Sequence, residues 1–135
     1  MKRFCVFLAL ASAMAFAADR RSSGGSPGDF DYYVLALSWS PQHCATKGAN
    51  DRMQCGEGRE YGFIVHGLWP QYEQGWPESC GTAPVAKSAI DDMLPIMPSP
   101  GLIRHEWTKH GTCSGLSSTK YFAQARSAYN KVRIP

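Results

Sequence analysis

The chain has 135 residues, of which 44% are hydrophobic and 19% charged. That is one domain's length, and the balance excludes disordered, collagen-like and coiled-coil chains. The formal net charge of +3 is too small for non-specific electrostatic capture of a polyanion, so any such binding needs a focused site.

Met1-Lys2-Arg3 is a short basic segment, Phe4 to Ala11 is apolar, and Ala15-Phe16-Ala17 has the small-x-small form of a cleavage site. This pattern predicts a secretory signal peptide over residues 1–17. The apolar run is too short to span a bilayer. A secreted or periplasmic chain, not bound to a membrane, is therefore expected. Its removal takes Cys5 away and leaves Cys44, Cys55, Cys80 and Cys113. An even count in an exported chain favours two disulfides, with three pairings open at this point. No two of these cysteines form a C-x-x-C pair, so a zinc cage is not written locally.

Residues 18–28 are polar and rich in Gly and Ser, and are expected to form a flexible leader. A single domain is expected over 29–135. Tyr32 to Trp39 is β-prone and nearly continuously apolar, as a central strand would be, and Pro41 is expected to end it. Ala45 to Gly58, with three glycines, reads as a loop. Tyr61 to His66 reads as a second buried strand, closed into a turn by Gly67 and Pro70. Gln71 to Pro84 is loop-like. A short helix is expected over Val85 to Leu94, ended by Pro95 and Pro98, and another over Leu102 to Gly111. Ser118 or Thr119 is expected to cap a last helix, whose apolar face is Tyr121, Phe122, Ala125, Ala128, Tyr129 and Val132. Strands and helices do not alternate, which makes the class α+β. Two strands make a poor sheet, so a C-terminal part of the domain is expected to be missing.

Three of the four histidines lie in two compact segments, Phe63-Ile64-Val65-His66-Gly67-Leu68-Trp69-Pro70 and His105-Glu106-Trp107-Thr108-Lys109-His110-Gly111-Thr112-Cys113. On a helix turning about 100° per residue, His105, Lys109, Glu106 and His110 fall within about 140° of one another, and Trp107 is free to pack inward. A zinc-protease helix places its histidines at i and i+4; here they stand at i and i+5, with Lys109 between. A solvated charged face accounts for Glu106 and Lys109 but not for two added histidines. The grouping suits cleavage of an RNA phosphodiester. The ribose 2′-OH is the nucleophile, two imidazoles move the protons, and cations steady the phosphoryl charge. A flat indole such as Trp69 offers a surface for a base.

The two segments closely resemble the paired active-site motifs of the ribonuclease T2 family of secreted endoribonucleases, and the stretch from Asp29 through Trp39 resembles that family's first strand. The resemblance implies an α+β fold with helices packed on an antiparallel sheet. It implies cleavage of single-stranded RNA to 2′,3′-cyclic phosphate ends, with no metal, no cofactor and no obligate protein partner. His110 would be the general base and His66 the general acid. His105 would bind phosphate, Glu106 and Lys109 would stabilise the phosphorane, and Trp69 would help hold a base. It also implies disulfides Cys80–Cys113 and Cys44–Cys55. The family's domain usually continues with further strands, and Gln71 stands where some members carry an acidic base-reading residue, which leaves base preference open. Two alternatives stand beside this reading: a non-catalytic remnant that binds RNA or does not fold, and a zinc hydrolase built on His105 and Glu106. His43 is given no role. Tyr72 and Trp76 would either extend the base site or cover the core.

Overall fold

The computed structural model describes residues 24–133. The expected signal peptide lies outside them. Of the expected leader, residues 24–28 are described, and they lie against the domain: the Gly28 N–H donates to the Cys113 carbonyl at 2.9 Å.

Strand β1 is Tyr32–Trp39, where aromatic and β-branched residues suit a pleated surface. It pairs antiparallel with β2, Phe63–Gln71, in a two-stranded sheet. The second strand is longer than the sequence suggests. Gly67 and Pro70 do not turn the chain; they pair with Ala36 and Tyr33. Proline is tolerated on an edge strand, and in a two-stranded sheet both strands are edges. The register shifts between Ala36, opposite Gly67, and Leu37, opposite Val65, so His66 is the extra residue of a β-bulge.

Pro41 ends β1 but also starts a helix, α1, Ser40–Thr46, in whose first turn proline costs nothing. The expected loop from Ala45 to Gly58 is also partly helical. A 3₁₀ turn at Gly48–Asn50 leads into α2, Arg52–Cys55, which Asp51 caps by accepting from the Gln54 N–H at 3.1 Å. Glycines punctuate this segment, and the disulfide between Cys44 and Cys55 closes it.

Helix α3 is Lys87–Met93 and α4 is Pro100–Lys109. Ser99 caps α4 through its Oγ, which accepts from the Leu102 N–H at 3.2 Å. The helix stops one residue before His110, which is the C-cap, and a 3₁₀ turn follows at Gly111–Ser114. Helix α5 is Ser118–Lys131, capped by Ser117 and not by Ser118 or Thr119. Val132 falls outside it and is exposed.

One core joins these parts. Val65 and Leu68 of β2 pack with Ile90, Met93, Met97, Ile103, Trp107, Tyr121, Phe122 and Ala125. Burying each large apolar side chain contributes about 1.5–3 kcal/mol. The polar tips of Tyr121 and Trp107 in this core are satisfied. Tyr121 donates to the Leu68 carbonyl at 2.6 Å, which fixes α5 to β2, and the Trp107 indole donates to the Ala83 carbonyl at 2.6 Å. No helix of the described residues is long and apolar enough to cross a membrane.

Candidate active site

Strand β2 and helix α4 meet at a cleft of about 320 Å³ lined by His66, Trp69, Gln71, Trp76, His105, Glu106, Lys109 and His110. The structure thus brings together all six residues that the sequence singles out for chemistry and base binding. It separates them in one respect. The helical wheel puts Glu106 on a polar patch with His105, yet Glu106 is 1% exposed and His105 lies in solvent. Trp107 packs inward as expected.

A buried carboxyl needs partners. The Trp69 indole N–H donates to Glu106 Oε2 at 2.7 Å, and His66 Nε2 lies 3.6 Å from Glu106 Oε1. Gly67 makes this possible. A Cβ there would sit 2.0 Å from Glu106 Oε2 and 2.4 Å from Trp69 Nε1. Burial pushes the Glu106 carboxyl up to about 7, against the opposing pull of the Trp69 hydrogen bond and the Lys109 charge.

The indole of Trp69 lies against both imidazoles. Its centroid is 5.8 Å from the His66 ring, edge-on, and 5.4 Å from the His110 ring, tilted by 33°. His66 is held from behind by Ser38, whose Oγ lies 2.9 Å from Nδ1. Burial, then the nearby His105, lowers its proton affinity. Burial, then Lys109 and His105, holds His110 down at about 4. His110 Nδ1 is buried with no hydrogen-bond partner. Lys109 Nζ lies 3.7 Å from Glu78 Oε2, a half-exposed pair worth little in stability.

The backbone around His110 is pinned covalently. Cys80 and Cys113 are bonded, and the Ser79 N–H donates to the Lys109 carbonyl at 2.8 Å. Gly111 is required where the chain leaves α4, since a Cβ there would lie 2.3 Å from the Trp107 ring.

The remaining aromatic candidates divide. Tyr72 is buried, whereas Trp76 is 54% exposed and lines the cleft. His43 lies elsewhere and pairs with Asp51 at 3.1 Å. Among the described residues, the one group of possible metal ligands close enough to share an ion is His43, Asp51 and Cys55, and the Cys55 sulfur is bonded to Cys44. His105, Glu106 and His110 do not form such a group. Motif reading missed Ser38, Gly67 and Glu78. Ser38 and His66 are 28 residues apart in the chain, and no spacing rule connects them.

Residues 30–135 match the model of the Ribonuclease T2 family. A ribonuclease of Aeromonas hydrophila is 44% identical over all of this chain and 61% of its own length. A probable ribonuclease of Haemophilus influenzae is 37% identical over 78% of this chain and 44% of its own. The crystal structure of RNase NT in complex with 5′-AMP superposes with a TM-score of 0.64 at 32% identity, over 76% of this chain and 57% of that one. This chain therefore spans less than two thirds of the length of each. With the match covering the sheet, the cleft and both disulfides, the chain belongs to the ribonuclease T2 family.

Proposed function

We propose that this chain is an exported endoribonuclease that cleaves single-stranded RNA through the ribose 2′-OH. The observation that carries the reading is the placement of His66 and His110, from separate stretches of chain, against one indole in one cleft. In the reaction, neutral His110 takes the 2′-OH proton and the 2′-oxygen attacks phosphorus. The bond to the 5′-oxygen breaks as His66, in its cationic form, gives that oxygen a proton. The products are a 2′,3′-cyclic phosphate end and a free 5′-OH. DNA has no 2′-OH and would not react.

The electrostatics suit the base role of His110 and a protonated Glu106, while burial and His105 work against the cationic form of His66. His110, held at about 4, is a free base at neutral and mildly acid pH. Glu106, pushed up to about 7, keeps a proton through mildly acid pH and donates a hydrogen bond to a phosphoryl oxygen instead of repelling it. Lys109 and His105 add positive charge where the phosphorane forms. Trp69 serves twice, as the anchor of Glu106 and as a base surface. Two disulfides fit an oxidising compartment, the periplasm or the cell exterior.

The test is digestion of single-stranded RNA in excess chelator, with the ends identified. Wild type is expected to leave 2′,3′-cyclic phosphates, and His66→Ala and His110→Ala are each expected to lose about 10²–10⁴-fold in kcat. Undiminished cleavage by both variants overturns the assignment. Binding of RNA without cleavage by wild type supports the non-catalytic alternative.

A further inference from the structure

We infer that Ser38 is a positioning residue for His66: its hydroxyl oxygen accepts the Nδ1 proton, fixes the ring so that Nε2 faces the cleft, and favours the cationic form that gives up a proton. The inference rests on the acid role proposed above for His66. It begins from the bulge. His66 is the unpaired residue of β2, opposite the shift between Ala36 and Leu37. A residue outside the ladder has fewer backbone constraints, and its side chain needs another anchor. Ser38, past the shift on β1, supplies one: its Oγ is 2.9 Å from Nδ1.

The direction of that hydrogen bond follows from chemistry. In an imidazolium both ring nitrogens donate, so a hydroxyl at Nδ1 must accept. Once Nε2 has passed its proton to the leaving oxygen, the remaining proton sits on Nδ1, still facing Ser38. One arrangement therefore serves both halves of the step, and the ring need not turn between them. The charged and titratable neighbours on the other side all come from α4 and its cap. Glu106 lies 3.6 Å from Nε2, and His105, Lys109 and His110 line the same cleft. Burial and His105 disfavour the cation; β1 carries no carboxylate to offset them. An accepting hydroxyl at Nδ1 offsets part of that loss.

Two variants of the full chain, with both disulfides formed, test this. Ser38→Ala removes the acceptor, and Ser38→Thr keeps it in a residue that strands favour. Nitrogen-15 NMR of His66 reads the ring without any need for turnover. Wild type and Ser38→Thr are expected to hold the neutral ring with its proton on Nδ1. Ser38→Ala is expected to lose that bias and to titrate about 0.5–1 pH unit lower. In RNA cleavage, Ser38→Ala is expected to lower kcat about ten-fold with little change in KM, and to move the alkaline limb of the pH profile toward acid. Ser38→Thr restores both. A His66 tautomer and titration unchanged in Ser38→Ala overturn the inference, whether or not the chain cleaves RNA. A changed tautomer in a chain whose His66→Ala variant cuts normally would leave the contact standing and remove its catalytic meaning, which also overturns the inference.

Discussion

The two disulfides make an informative pair. Cys44–Cys55 closes 11 residues and Cys80–Cys113 closes 33. By chain entropy alone they are worth about 3 and about 4 kcal/mol, a small difference. Their surroundings differ far more. The first ties α1 to α2 in a segment outside the cleft. Cys113, in the second, is fully buried three residues after His110. Its partner follows Glu78 and Ser79, which contact the Lys109 side chain and carbonyl. The same covalent bond thus closes a segment outside the cleft in one region and pins the backbone beside His110 in the other.

Removing each bond separately tests that contrast. Cys80→Ser with Cys113→Ser is expected to lower kcat/KM by at least about 100-fold even at temperatures where the chain stays folded, since a misplacement of about 1 Å has that effect. Gly67→Ala is expected to come next. It leaves both disulfides intact but drives a methyl group into Glu106 and the Trp69 N–H. A loss of about 1–3 kcal/mol in stability with about 50-fold in kcat should appear in denaturant melts and steady-state rates. Cys44→Ser with Cys55→Ser is expected to remove about 3 kcal/mol of stability while kcat/KM, measured well below the melting point, stays within about three-fold, since this bond lies away from the proton-transfer groups. Equal losses of activity in the two double variants would erase the contrast.

The smallest effect concerns pH. With Glu106 at about 7 when folded and near 4.5 when unfolded, the native state holds the proton more tightly. That contribution is complete below pH 4.5 and is lost as pH rises through 7. His110, at about 4 against 6.5 unfolded, acts in the opposite direction, and its contribution is lost as pH falls through 4. Glu106→Gln keeps an acceptor for Trp69 and removes the ionisation. It is expected to raise stability by about 1–3 kcal/mol at pH 8 and to change little at pH 4, as read by thermal melts at both values.

Much of the site was legible in sequence because its residues sit in two short segments on two elements. Once β2 and α4 are placed side by side, six chemical groups converge. What could not be read depends on pairing across the chain. Gly67 looks like a turn residue by its local propensity; its reason is a carboxylate 39 residues away in sequence. Pro41 and Pro70 look like breakers, yet one begins a helix and the other sits on an edge strand. The depth of Glu106 also lay outside the wheel, because a helix face does not report which neighbours will close over it. The bulge at His66, and with it Ser38, requires the register of two strands, which no single segment encodes.

Division of labour between the two imidazoles is the central claim. It is tested most directly with an RNA whose scissile 5′-oxygen is replaced by sulfur, a leaving group that needs no proton. On this substrate His66→Ala is expected to recover to within about ten-fold of wild type, while His110→Ala stays at least about 100-fold impaired. Recovery of His110→Ala instead, or of neither variant, would contradict the assignment of acid and base.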